Sequence, residues 1–272
     1  IFTRLLLQRL RVLRPHADHQ NFRQRDPGKT VDDLVWLKER YGAQSFFFTD
    51  ECFALSPTKR LCQQMIDRQV NVKWTCELRF EKNLTRELLG QMRDAGCLKI
   101  VFGLESFNQR VMDFMKKGIK QESVRRIVDD CVDLGIAVHC YVIVGFPTEK
   151  EEEALDTMNF VVGNKKLHES YGFSCQPCLF DLEKEAPIMS DPGSYGIRRI
   201  MRPATEDLSL GFFYEVQEGM TPAQAEQLYQ QVYEKISEVV CELPFNYSMA
   251  DGLLYIARAK SQALQVPQPT GS

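Results

Sequence analysis

Apolar positions along the chain alternate between helical and extended spacing. Val31, Leu34 and Leu37 recur at helical spacing, and Thr30 with Asp33 predicts the start of that helix. Residues 44–50 form a short apolar run around Phe46, Phe47 and Phe48, which predicts a buried strand. Ser56-Pro57, a cap followed by proline at the first helical position, precedes a stripe of Leu61, Cys62, Met65 and Ile66. Residues 70–77 then predict a strand, and Leu88, Leu89, Met92 and Ala95 a helix closed by Gly96. A strand over 98–105, a helix over 121–134 stopped by Gly135, and a β-branched strand over 136–144 follow. Thr148 with Glu151 reads as a capping box, and Glu149, Glu152 and Glu153 complement the positive end of the next helix, which ends near Gly163. Residues 171–179 are the last strand the pattern places.

Five strands separated by helices require parallel pairing, because each crossover consumes a helix. The fold class is therefore α/β. The strands run almost continuously apolar, as expected where both faces are covered. A doubly wound sheet and a barrel both satisfy the pattern, and both put the ligand site at the C-terminal ends of the strands. The expected divisions are a basic N-terminal segment over 1–29, a core over 30–180, a long weakly periodic segment over 181–219, helices over 220–264 and a tail over 265–272. Thr221-Pro222 with Gln224 caps the first C-terminal helix, which runs to about Cys241; a second covers 249–263.

A hydrophobic fraction of 44% over 272 residues suffices for one substantial core. The net charge of −3 gives no global sign of nucleic-acid or membrane binding, and no apolar run reaches the roughly 18 residues of a spanning helix. Arginines 4, 9, 11, 14, 23 and 25 make the N-terminal segment basic, without the aromatic interleaving of a nucleic-acid arm. The first residue is Ile, so the chain is expected to be a fragment or a processed product. Nine cysteines, an odd number mostly inside apolar segments, imply a reducing, cytoplasmic compartment with free thiols. Cys175 and Cys178 form a C-x-x-C on a strand, where residues three apart point to opposite faces; core or cavity thiols are the favoured reading.

The residues at the strand ends carry the chemistry. They are Thr49-Asp50-Glu51, then Glu77 and Arg79, then Gly103-Leu104-Glu105-Ser106, then Gly145-Phe146-Pro147-Thr148-Glu149, then Cys175 and Cys178. Such a rim suits a zwitterionic, polyhydroxylated ligand: carboxylates take an ammonium and ribose hydroxyls, and an arginine takes a carboxylate bidentately. Glycine at 145 admits close backbone approach to a flat ring.

Four stretches in order resemble the core of the radical SAM superfamily. They are Phe48-Thr49-Asp50-Glu51-Cys52-Phe53, Asp94-Ala95-Gly96, Gly103-Leu104-Glu105-Ser106 with Met115-Lys116-Lys117-Gly118, and Tyr141-Val142-Ile143-Val144-Gly145-Phe146-Pro147-Thr148-Glu149. The resemblance spans residues 24–180. Residues 190–196 and the C-terminal helices resemble cobalamin-dependent members. It implies a partial (βα)6 barrel of parallel strands with C-terminal helices, opening S-adenosylmethionine (SAM) reductively to a 5′-deoxyadenosyl radical. On it, Asp50 and Glu51 fall where the family meets the methionine amino group, Arg79 where it meets the carboxylate, and Glu105 and Ser106 where it meets the ribose. Ile143, Gly145 and Pro147 flank the adenine. It further implies a 4Fe-4S cluster, an electron-donor protein, and cobalamin held by a domain upstream. The family's cluster motif, C-x-x-x-C-x-x-C, is absent: no cysteine precedes Cys52, and His16 and His19 are the only other soft-metal candidates upstream. The leading expectation is the SAM-binding barrel of a methyltransferase or a related enzyme acting on an unactivated carbon. The alternatives are a cluster-free SAM-binding scaffold and an ordinary barrel enzyme using rim carboxylates. Segment 181–219 is expected to shape the substrate pocket, with Tyr195 and Arg198 reaching it.

Overall fold

The computed structural model describes residues 3–4, 23–50, 53–163, 173–183, 186–202 and 211–239. β1 (Thr3–Arg4) and β2 (Arg23–Gln24) form a two-residue antiparallel ladder. Thereafter strand and helix alternate: α1 (Pro27–Tyr41), β3 (Ser45–Phe47), α2 (Leu55–Asp67), β4 (Lys73–Leu78), α3 (Arg86–Asp94) and β5 (Cys97–Glu105). The short α4 (Gln109–Phe114), α5 (Gln121–Asp133), β6 (Ala137–Val144), α6 (Glu151–Val162) and β7 (Phe173–Leu179) complete the core. β3 to β7 pair in parallel in chain order, giving one curved five-stranded wall.

One face of that wall is packed and the other is half open. On β6, Val138, Cys140, Val142 and Val144 are buried among the helices, while Ala137, His139, Tyr141 and Ile143 are only half-buried. The expectation of two covered faces is thus corrected. Helices cover the convex side alone, as in a partial barrel, and the period of two on β6 records it. Trp74 anchors the convex core; it is fully buried against Phe48 and Phe53, and its indole N–H donates to the Ala95 carbonyl at 2.9 Å. Burying each such side chain contributes about 1.5–3 kcal/mol. Gly96 is obligatory here, since a Cβ would lie 2.0 Å from the Val72 carbonyl oxygen and φ is +95°.

Three helix starts differ from the sequence reading. α2 begins at Leu55 with Ala54 as its cap, so Ser56 and Pro57 lie inside its first turn rather than at its cap and first position. α1 begins at Pro27, capped by the Asp26 carboxylate accepting from the Lys29 N–H, and Thr30 is already buried inside it. α6 begins at Glu151 with Lys150 as its cap, and the Glu153 carboxylate accepts from the Lys150 N–H at 2.8 Å. Thr148 cannot serve as the cap because its φ of +74° is left-handed rather than extended.

The weakly periodic segment after β7 is also structured. β8 (Leu182–Glu183), β9 (Ile197–Met201) and β10 (Gly211–Val216) form an antiparallel sheet in the order β8-β10-β9. Its strands are too short to print a clear period. Phe180, Leu182, Ile188, Tyr195, Ile197 and Tyr214 pack with Val111, Met115 and Phe146 in a second apolar cluster at the C-terminal edge of the barrel. α7 (Pro222–Val239) starts with reciprocal Thr221–Gln224 hydrogen bonds and returns along β7 and α6. The expected helix over 249–263, the tail and most of segment 1–29 lie outside the described residues.

Candidate functional site

The strand order sets the ends of β3, β4, β5, β6 and β7 side by side on one rim. Asp50 stands just beyond β3 and is buried. Its neighbours Glu51 and Cys52 lie outside the described residues. Arg79 continues β4, is half-buried, and borders a small recess with Gly103, Leu104 and Lys117.

Glu105 owes its position to a local break in β5. Gly103 pairs with Tyr141 but Glu105 pairs with Val142, so the ladder slips by one residue, and Glu105 takes a φ of +62°. Its carboxylate then folds back over Gly103, where a Cβ would lie 2.6 Å from Glu105 Oε1. Lys117 Nζ donates to that oxygen and to the Gly103 carbonyl, each at 3.1 Å, and both side chains of the pair are under 10% exposed. Lys117 comes from the turn after α4, which the left-handed Lys116 and Gly118 shape. Gly-x-Glu, Lys and Gly at this spacing are thus one device, and Lys117 is the member to which the sequence reading gave no role.

Ser106 is fully buried behind this turn. Its hydroxyl accepts from the Asn108 N–H at 3.1 Å and lies 3.3 Å from Thr157 Oγ1. It faces α6 rather than the open rim.

The turn after β6 is held from within. Glu149 is fully buried, and its Oε2 accepts from the Gly145 N–H at 2.8 Å, whereas Oε1 has no hydrogen-bond partner among the described residues. Burial pushes this carboxyl up to about 8 despite the backbone donors. The Glu149 carbonyl accepts from the Met220 N–H, tying the start of α7 to the turn. Arg110 on α4 donates to the Thr148 carbonyl at 2.9 Å and forms an ion pair with Glu153. Ile143 lies half-buried against the second apolar cluster, and Pro147 is buried.

Outside the barrel wall, a cavity of about 610 Å³ opens between β6, β7, the small sheet and α7. Phe180, Phe212, Phe213, Tyr214, Asp181 and Glu226 are among its lining. Tyr195 and Arg198 are not among its lining. Tyr195 is buried in the second cluster with its ring edge against Phe114, and Arg198 pairs on the surface with Glu215.

The two residues of the C-x-x-C part company as the strand geometry requires. Cys175 pairs in register with Cys140, Cys178 with Ile143, and both thiols are pushed up by burial. Among the described residues no three His, Cys, Asp or Glu side chains converge as a metal site.

The family model for the radical SAM superfamily matches residues 13–161, more than half of the chain. An uncharacterised methyltransferase of Pyrococcus horikoshii is 27% identical over 145 residues, covering 53% of this chain and 31% of the relative. An anaerobic magnesium-protoporphyrin IX monomethyl ester cyclase of Rubrivivax gelatinosus is 29% identical over 141 residues, covering 51% and 25%. The chain therefore spans less than a third of the length of these curated relatives. Among solved structures, the radical SAM methyltransferase TsrM of Kitasatospora setae, with cobalamin and a [4Fe-4S] cluster bound, superposes with a TM-score of 0.56 at 18% identity. That match covers 77% of this chain and 42% of TsrM, and at such identity it speaks for the fold.

Proposed function

The chain belongs to the radical SAM superfamily, and on that premise we propose that its barrel binds SAM at the C-terminal rim within a cobalamin-dependent methyltransferase or a related enzyme acting on an unactivated carbon. The observation that carries this reading is the convergence of charge on three adjacent strand ends. Asp50, Arg79 and Glu105 terminate β3, β4 and β5, and Arg79 makes no hydrogen bond or ion pair among the described residues. An unpaired guanidinium and a buried carboxylate at neighbouring strand ends match the two charges of an amino acid.

The division of labour follows from the surroundings of each group. Asp50, with Glu51, takes the ammonium and Arg79 the carboxylate. Glu105 holds Lys117 through Oε1, leaving Oε2 for a ribose hydroxyl. Ser106 supports that turn from inside, since its hydroxyl is engaged with Asn108 and Thr157. Ile143, half-buried, offers an apolar edge to the adenine, whereas Gly145 and Pro147 are buried and shape the turn from within, with the Gly145 N–H held by Glu149. Bound there, SAM supplies a reducible sulfonium and an activated methyl group.

The described residues do not fit a 4Fe-4S cluster: none of their cysteines converge as a metal site. No cysteine precedes Cys52 in the sequence, and Cys62, Cys76, Cys97, Cys131 and Cys140 are fully or nearly fully buried thiols. Burial raises Cys62, Cys131 and Cys140 further from the thiolate state a cluster requires. A second reading is a barrel that binds SAM without reducing it. Cobalamin and an electron-donor protein belong to the leading reading as partners supplied from outside these residues, in a cytoplasmic, reducing setting.

Anaerobic reconstitution with iron and sulfide, followed by iron quantification and SAM titration, tests the proposal. SAM binding with about four irons per chain supports radical chemistry in this polypeptide. SAM binding without iron supports the cluster-free reading. Absence of SAM binding refutes both.

A further inference from the structure

Below the rim, the concave face of the wall carries polar side chains that SAM binding does not use. They recur at every second position: Lys99 on β5, His139 and Tyr141 on β6, Ser174 and Gln176 on β7. Cross-strand pairing arranges them in rows. Thr75, Lys99 and Ala137 form the lowest; Val101, His139 and Ser174 the next, with Glu77 at its end; Gly103, Tyr141 and Gln176 the third. The alternating residues Ile100, Phe102 and Cys140 are fully buried on the convex side.

His139 Nδ1 lies 2.7 Å from Ser174 Oγ, and the imidazole meets the Tyr141 ring edge-on at 4.9 Å. Lys99 is half-buried, yet it makes no hydrogen bond or ion pair among the described residues beyond its backbone. A cation drawn out of water without a counterion is costly, and burial accordingly lowers its pKa. The neighbouring imidazole is pushed down to about 3 by burial and by the charge of Lys99, so it is neutral. In the tautomer whose Nδ1 accepts from the Ser174 hydroxyl, the ring carries its proton on Nε2 and offers a donor there. The group thus sets a cation and several donors on one face, with Glu77 as the carboxylate at the end of the His139 row.

We propose that Lys99, His139 and Ser174 form an oxyanion subsite on the concave wall, which takes the carboxylate or phosphate group of a small-molecule ligand. Lys99 provides the charge, His139 Nε2–H and the Tyr141 hydroxyl donate, and Ser174 sets the ring. Glu77, the carboxylate on the same face, stands across Val101 from His139. It turns the ligand's anionic end toward the Lys99 side and its hydroxyl- or amine-bearing end toward itself. The subsite uses neither Arg79 nor SAM, so its test is independent of the rim.

The test is an NMR titration of the ring-labelled full chain, without SAM, by inorganic phosphate and separately by acetate. The His139 ring signals, assigned with His139→Gln, are expected to shift saturably, with the imidazole pKa rising on binding. Lys99→Met weakens binding by about tenfold or more, the loss of one charge-assisted contact. Lys99→Arg retains most of it, and Arg79→Gln leaves it unchanged. A response to phosphate alone assigns a phosphorylated ligand, and one to acetate alone a carboxylate. The proposal is overturned if neither anion shifts His139 in the wild-type chain, or if Lys99→Met binds as tightly as wild type. It is also overturned if Arg79→Gln rather than Lys99→Met abolishes the effect.

Discussion

Three residues far apart in character act as one object at the rim. Gly103 has no side chain because the Glu105 carboxylate occupies that space, and Glu105 pairs with Lys117 where little solvent reaches. Removing one partner of a buried pair leaves an uncompensated charge, so Lys117→Met should destabilise the fold by about 3 kcal/mol or more in urea unfolding. A loss below about 1 kcal/mol would show that the pair is solvated in practice. Glu149 obeys the opposite logic. Its folded pKa is raised to about 8 from 4.5, so protonation accompanies folding. The stability it contributes is fully present below about pH 4.5 and is lost as pH rises through about 8. Glu149→Gln should flatten the fall in stability across that window, a change on the order of a few kcal/mol at its upper end. Parallel wild-type and variant curves would reject that protonation state.

Elements dock through positions where a single methyl group matters. Gly145 has a φ of +84°, and a Cβ there would lie 2.4 Å from the Ala225 Cβ, so α7 sits directly on the end of β6. Gly145→Ala should cost about 1–3 kcal/mol, and Ala225→Gly should recover part of it in the double variant. Strict additivity would place the strain in the backbone alone. Most elements were legible because long, periodic runs bury one face: the stripe of Leu61, Cys62 and Met65 is the buried face of α2. α4 escaped because six residues give too few turns for a period, and β8 to β10 because two to six residues do not establish alternation. The caps of α1 and α6 were misplaced for one shared reason. Several Ser, Thr, Asp and Glu residues cluster before each helix, and only backbone angles select among them.

At the scale of the molecule, the parallel order and the rim followed from chain logic alone, since each strand returns through a helix to the same edge. The concave face was not legible. The half-open period on β6 reads as ordinary core when its concave face carries Ala, Tyr and Ile beside one histidine. The second apolar cluster likewise joins residues from 111 to 214 that only the fold brings together. No described helix is long and apolar enough to cross a membrane. The whole arrangement aims two open charges, on Arg79 and Lys99, at the concave side, one at its rim and one at its floor. The most direct test of the central claim is calorimetric titration of the purified chain with SAM, repeated on Arg79→Gln. The account predicts saturable binding that weakens at least about tenfold in the variant, the loss of one bidentate charged contact. No binding, or equal affinity in the two proteins, would contradict it.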